Sequence, residues 1–238
     1  MSAYTDLEKI KKNCKLCAGI GMVLVDDELQ YCKCVQRIRQ KAKLIDANIP
    51  KQYWDFHIAD IHQSFKEDNK KEFHAVQAYI KRIRANIRNG KGLWLWSPPG
   101  MGKSTCIADI LRSAIATEHK AYFLKAAKVV ELRMKALRSA EASGLVDYLL
   151  SKVDIIAVEE IEKVYLASED TLPNTLFFDF LSDLYDSKRA LLVTSNCSPA
   201  KVIEKFPTYI ADRLRLLKVL RFTGKFSGRK LAQANART

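Results

Sequence analysis

The stretch SPPGMGKST, Ser97–Thr105, has the residue types of a loop that holds a phosphate chain. Such a loop needs backbone N–H groups turned inward, a helix N-terminus behind them and one cation. Gly100 and Gly102 let the backbone approach closely, Pro98 and Pro99 stiffen the entry, and Lys103 can reach the β- and γ-phosphates. The Ser104 hydroxyl is a Mg²⁺ ligand in this pattern, and Met101 and Thr105 complete the nucleotide-contacting run. Ser97 stands where G-x-x-x-x-G-K-[ST] asks for glycine, so easy access to positive φ is lost there. Downstream, IIAVEEIE sets four apolar residues before two acids. The first, Glu159, would hold Mg²⁺ in place of the usual aspartate, and the second, Glu160, would orient and activate an attacking water. Glu162 reads as a surface residue. LLVTSN ends in Asn196, which could hydrogen-bond that water or the γ-phosphate. Arg213 and Arg215 lie in YIADRLRLL, where an arginine offered to a neighbouring subunit could stabilise charge on the transferring phosphoryl group.

A second chemistry sits near the start of the chain. Cys14-x2-Cys17 and Cys32-x-Cys34 flank GIGMVLVDDELQY, which reads as a hairpin turning at Asp26-Asp27. The hairpin would bring both pairs to one end, where four thiolates suit tetrahedral Zn²⁺. So short a hairpin has little core, and the metal would supply its folding energy. His57 and His62 lie outside the cluster and read as packed or solvent-facing. Cys106 and Cys197 sit in apolar segments.

The elements that must position these residues alternate. Residues 1–36 carry the cysteines and 37–71 form a basic connector, helical at first and cut at Ile49-Pro50. Residues 72–238 read as one α/β unit. In it EFHAVQAYIKRIRANIR has helical spacing and stops at Asn89-Gly90. GLWLW, AYFLKA, VDIIAVEE, ALLVTSN and KVLRFTG are strand candidates separated by helical segments. Among those segments Gly144 marks an expected break, and Pro173 is tolerated in a first turn. Strands apolar throughout imply a parallel sheet covered on both faces. Ligands in such sheets bind at the carboxyl ends of the strands, where the loop, the two acids and Asn196 all fall.

The chain has 238 residues and a net charge of +13, which points to a polyanionic partner, nucleic acid first. The polar start MSAYTDLEKIKKN reads as no signal peptide, and no apolar run approaches the roughly 20 residues of a membrane helix. Both imply a reducing compartment, where clustered cysteines hold metal more often than disulfides.

The motifs in this order resemble AAA+ P-loop ATPases, and more narrowly the DnaC/DnaI-type helicase loaders and the IstB-type transposition ATPases. GLWLWSPPGMGKST is similar to the family's Walker A, VDIIAVEEI to its Walker B, LLVTSNCSP to its sensor 1, and IADRL to the segment with its arginine finger. CKLCAGIGMV…YCKC resembles the cysteine-bearing N-terminal hairpin of many loader-like proteins, ANIPKQYWDFHIADI the connector after it, and FTGKFSGRK the closing strand and basic tail. The resemblance implies an AAA+ domain with a five-stranded parallel sheet, preceded by a zinc-binding hairpin that docks a partner. It implies ATP, Mg²⁺ and Zn²⁺ as ligands and makes Arg213 the finger. It gives residues 134–152 the role of a helical insertion that steers subunits into a spiral and helps grip single-stranded DNA. The expected function is ATP-dependent loading of a hexameric replicative helicase in a bacterial or phage-infected cytoplasm, by a homo-oligomer on single-stranded DNA, with no membrane partner. Two other readings stand beside it: an IstB-like ATPase that assembles on duplex DNA to activate a transposase, and an ATP-binding adaptor that does not hydrolyse, which Ser97 and Glu159 would favour.

Overall fold

The computed structural model describes residues 3–164 and 172–224, which fall in two compact units, Met1–Trp54 and Asp55–Thr238. The first unit contains α1 (Ala3–Lys12), β1 (Met22–Val25), β2 (Glu28–Tyr31) and α2 (Lys33–Asp46). β1 and β2 pair antiparallel, with Val25 opposite Glu28. Asp26 and Asp27 between them have φ of 48° and 60°. Positive φ at both central residues is the I′ turn, whose twist matches that of the flanking strands, and aspartate tolerates it. α1 and α2 pack together, and Tyr4 Oη donates to Asp46 Oδ1 at 2.6 Å across them.

The second unit runs α3 (Gln63–Asp68), α4 (Lys70–Lys81), α5 (Ile83–Arg88), β3 (Leu93–Trp96), α6 (Lys103–Ala116), β4 (Ala121–Lys125), α7 (Ala126–Ala136), α8 (Ala140–Lys152), β5 (Ile155–Glu159), α9 (Leu172–Asp186), β6 (Ala190–Ser195), α10 (Pro199–Ile203), α11 (Thr208–Arg215) and β7 (Lys218–Arg221). Five strands form one sheet in the order β4-β5-β6-β3-β7, and each neighbouring pair is parallel. The order matters for chemistry. β3, which feeds the phosphate loop, and β5, which carries the acids, are not adjacent. β6 lies between them, so its tip reaches the space they share.

Both faces are covered. Trp94, Ile156, Val158 and Val193 share a buried cluster with Val129, Leu149, Phe177 and Phe180 from α7, α8 and α9. Residues of the opposite parity, Leu93, Leu95, Ile155, Ala157 and Leu192, are buried as well, and α6 packs against β4, β5 and β6. At the entry to β3 the backbones approach so closely that a Cβ on Gly92 would collide with the carbonyl oxygen of Leu191 and the side chain of Leu217. Gly92→Ala should therefore cost at least about 1–3 kcal/mol of stability, read as a lower urea midpoint. An unchanged midpoint would mean that the β3–β6 approach is looser than this.

Two element readings need correction. Gly144 lies inside α8 and not at a break. The break falls just before, at Ser139, whose side chain caps the helix by accepting from Ala142 N. Capping and the burial of Val146 and Leu149 outweigh the roughly 1 kcal/mol penalty of an interior glycine. The single helix expected to end at Asn89 is two, α4 and α5, parted at Arg82 (φ −109°, ψ 25°). Gly90 then takes φ 60°, the left-handed stop that the sequence implied. Of the expected closing strand and basic tail, β7 is present and the tail from residue 225 lies outside the described residues.

Candidate nucleotide and metal sites

β3 ends at Trp96 and the chain enters the loop with Ser97 N donating to Ser195 O at 3.3 Å. The same strand ends are locked again from the side chains: Trp94 Nε1 donates to Ser195 Oγ at 2.8 Å, which donates to Cys197 O at 2.7 Å. Ser97 is fully buried and does not have positive φ, so serine is unstrained there. The backbone freedom that glycine would supply is needed further on, at Gly102, which takes φ 76° as the N-cap of α6. Its missing Cβ leaves α6 without a side-chain cap and with its N-terminal N–H groups turned to the loop, where an anion is favoured.

Lys103 is the centre of the loop. It is buried, and its Nζ donates to Ser97 O at 2.7 Å, Ser97 Oγ at 3.0 Å, Pro98 O at 3.2 Å and Asn196 Oδ1 at 3.0 Å. Ser97 therefore supplies what no glycine could, a hydroxyl acceptor for the lysine.

Glu159 ends β5 on the same face as Ile155 and Ala157, the face α6 covers, and it meets the Ser104 hydroxyl there. Burial raises the carboxyl above its ordinary pKa, only partly offset by the Ser104 hydrogen bond and by Lys125 and Lys103, while Glu160 pushes the same way as burial. Its Oε1 is buried with no partner among the described residues. A buried, unpartnered carboxylate oxygen beside a serine hydroxyl fits Mg²⁺, which takes few protein oxygens and keeps waters and phosphates as its other ligands.

Glu160 takes φ 57°, rare for a residue with a Cβ, and its N–H donates to Thr194 Oγ1 at 3.1 Å. That bend turns the side chain out of the strand, where Lys163 Nζ meets Oε2 at 2.8 Å. This ion pair is partly exposed, so its strength is within about 0–1 kcal/mol and Glu160 stays available.

Glu162 is not a surface residue. It is 9% exposed, in the short 3-10 turn Ile161–Val164, and its Oε1 accepts from Asn196 N at 3.1 Å and Asn196 Nδ2 at 2.7 Å. The sequence offers little to find it by, since an acid three residues past a strand end reads as solvated. Only the turn folds it back.

Lys103, Ser104, Glu159, Glu160 and Asn196 thus converge at the carboxyl ends of β3, β5 and β6. Arg213 does not join them. It lines a cavity of about 900 Å³ with Gly92, Asp186, Arg189 and Lys218, where β3 and β7 begin, at the opposite end of the sheet. There its guanidinium lies over Tyr185 and Tyr209 at 5.1 and 5.8 Å and donates to Asp186 Oδ1 at 3.2 Å. Arg215 pairs with Asp212 on the surface.

A family model for AFG1-like ATPases matches residues 31–222, which take in every residue of this convergence. The chain belongs to the AFG1-like ATPase family. This places it among AAA+ P-loop ATPases, whose members bind nucleotide with Mg²⁺. No curated protein sequence matches it significantly. Among solved structures, the DnaC helicase loader superposes with a TM-score of 0.60 at 13% identity, over 73% of this chain and 100% of that one. DnaI superposes with 0.59 at 15% identity, over 73% and 94%. AMPPCP-bound DnaA from Aquifex aeolicus gives 0.60 at 13% identity, over 79% of this chain and 56% of that one. At these identities the likeness is one of fold, and this AFG1-like ATPase shares the AAA+ fold with all three.

In the first unit the cysteine sulfurs of Cys14, Cys17, Cys32 and Cys34 all lie within 4.8 Å of one another. Cys14 and Cys32 are 3.6 Å apart and Cys17 and Cys34 3.5 Å, as free thiols. The edge of a ZnS₄ tetrahedron with bonds of about 2.3 Å is about 3.8 Å, so the cluster is close to the size zinc requires. The unusual C-x-C spacing has a local cause. Cys32 is the N-cap of α2 and Cys34 lies in its first turn, so the chain turns between them and both face the other pair. Burial raises the Cys17 thiol, but the backbone amide of Gly21, Cys34, Cys14 and the amide of Gly19 outweigh it and bring it down to about 6. Cys34 is pushed up to about 12 by burial and by the neighbouring sulfurs. Four sulfurs this close cannot all ionise unaided, and a divalent cation removes that conflict. Among the described residues no helix is long and apolar enough to cross a membrane.

Proposed function

We propose that the chain is an ATP-dependent loader of a hexameric replicative DNA helicase. The observation that carries this reading is the joining of two devices in one chain. One is the convergence of Lys103, Ser104, Glu159, Glu160 and Asn196 at one end of the sheet of an AAA+ fold. The other is a separate four-cysteine hairpin that leaves Leu16, Ile20, Leu24, Leu29 and Tyr31 exposed. Exposed apolar side chains on a small unit mark a docking surface. The likeness in fold to DnaC and DnaI supports the same assignment.

On this reading the amides at the start of α6 and Lys103 hold the triphosphate, and Ser104 and Glu159 hold Mg²⁺. The metal would neutralise charge on the β- and γ-phosphate oxygens. Glu160, released from Lys163, orients and deprotonates the attacking water. Arg213, remote from its own loop, is offered to the site of a neighbouring copy, so hydrolysis needs assembly. Cys14, Cys17, Cys32 and Cys34 hold the zinc that folds the docking unit. Residues 134–152, the end of α7 and the whole of α8, serve subunit assembly and DNA. Lysine and arginine grip the phosphates of single-stranded DNA, a contact that weakens with salt. Bound ATP orders the assembly and its hydrolysis releases it.

The test is reconstitution with the replicative helicase of the same source. An ATP-dependent complex that deposits the helicase on circular single-stranded DNA is expected. A failure to bind the helicase, with stimulation of a transposase on duplex DNA instead, would move the assignment to the IstB-like alternative.

A further inference from the structure

The Asn196 amide has two ends, and the structure fixes which one turns to Lys103 and which to Glu162. Lysine can only donate and a carboxylate can only accept. Lys103 Nζ lies 3.0 Å from one end of the Asn196 amide and Glu162 Oε1 lies 2.7 Å from the other. The end toward Lys103 is therefore the carbonyl oxygen, and the end toward Glu162 is the NH₂. Glu162 grips the backbone as well, through Asn196 N at 3.1 Å, so main chain and side chain are held by one oxygen. The clamp is buried: Glu162 is 9% exposed, on a turn whose Ile161 is fully buried in the apolar core.

We propose that Glu162 is a positioning residue that locks Asn196 as a hydrogen-bond acceptor, so that Asn196 acts on the attacking water and not on the γ-phosphate. This rests on the ATPase reading above. The chemistry separates the two roles. Phosphate oxygens accept, and an amide that grips them must present its NH₂, which here is held by Glu162. A water about to attack carries hydrogens and needs an acceptor, which Asn196 Oδ1 provides beside Lys103.

The test uses the full chain with Glu162→Ala, Glu162→Gln, Asn196→Ala and the Glu162→Ala/Asn196→Ala pair. Glutamine keeps the accepting oxygen but removes the charge, so it separates clamping from electrostatics and is the variant that preserves the fold. In Glu162→Ala the amide is free to turn. The turnover number is then expected to fall about 10- to 100-fold, as misorientation does. Binding of the non-hydrolysable analogue AMPPCP should tighten about 3- to 10-fold relative to ADP, because the NH₂ can reach the γ-phosphate. Glu162→Gln should stay near wild type in both, and in the pair the tightening should vanish. Equal tightening in Glu162→Gln would assign the effect to charge and overturn the clamp, as would weaker AMPPCP binding in Asn196→Ala alone. The clamp is also read without nucleotide. The Asn196 side-chain amide protons, followed by ¹⁵N NMR, should exchange slowly in wild type and Glu162→Gln and fast in Glu162→Ala. Fast exchange in wild type overturns the proposal even where ATP is hydrolysed. Slow exchange that only Glu162→Ala abolishes supports the clamp even in a chain that does not turn over, in which case the ATPase reading alone has failed.

Discussion

Lys103→Ala is expected to lower ATP turnover by at least about 100- to 1,000-fold, the scale of losing one charge-stabilising contact at a reacting centre. The geometry makes the effect specific. Four oxygens from Ser97, Pro98 and Asn196 surround the ammonium. ATP affinity should fall with turnover, because the same charge meets the triphosphate before and during transfer. The fold should survive. The loop is held independently by Ser97 N on Ser195 O and by Trp94 on Ser195 Oγ, so the unfolding midpoint separates a lost cation from a lost structure. Turnover retained in Lys103→Ala would mean that phosphate is bound elsewhere.

Zinc removal is expected to have the largest structural effect and to confine it to one unit. Structural zinc sites supply about 10–16 kcal/mol in small peptides, far more than a hairpin with exposed strands can gain from packing. β2 is exposed along its length, and the buried set around the sulfurs is little more than Cys17, Cys32 and Cys34 with Ile10, Val23 and Val35 against them. Purified protein should hold one zinc per chain. Cys17→Ser with Cys34→Ser should lose it, open 14–34 to protease and abolish helicase binding, while ATP binding by the second unit remains. Because the ligands bind zinc as thiolates, the metal should also be released as the pH is lowered. Protein that holds no zinc and resists protease over these residues would show that thiols alone fold the hairpin.

The sequence was most legible where one local pattern fixes one structure. The inner strands are built on apolar runs such as IIAV and LWLW, buried because both faces of the sheet are covered, and these runs marked their positions, whereas the edge strand β7, KVLR, is largely exposed. The phosphate loop was legible because its chemistry needs particular residues at particular spacing. The hairpin turn at Asp26-Asp27 was legible from the turn residues and the cysteine pairs around it. What escaped depends on tertiary context. The strand order that sets β6 between β3 and β5 has no local signature. Ser97 read as a defect because φ at that position cannot be seen from the sequence, yet the backbone there suits serine and its hydroxyl accepts from Lys103. Glu162 read as solvated because helical and strand periodicity say nothing of a short 3-10 turn. Gly144 read as a break because a cap three residues before Ala142 outweighs a flexible residue inside the helix.

The most direct test of the central claim is the ATPase rate of the wild type and of Glu160→Gln, each with and without single-stranded DNA. The account predicts that the wild type turns over, that DNA changes the rate by favouring the assembly that brings Arg213 to a neighbour's site, and that Glu160→Gln binds ATP but scarcely hydrolyses it. ATP bound by both proteins and hydrolysed by neither under any condition would contradict it, and would make the chain an ATP-gated adaptor.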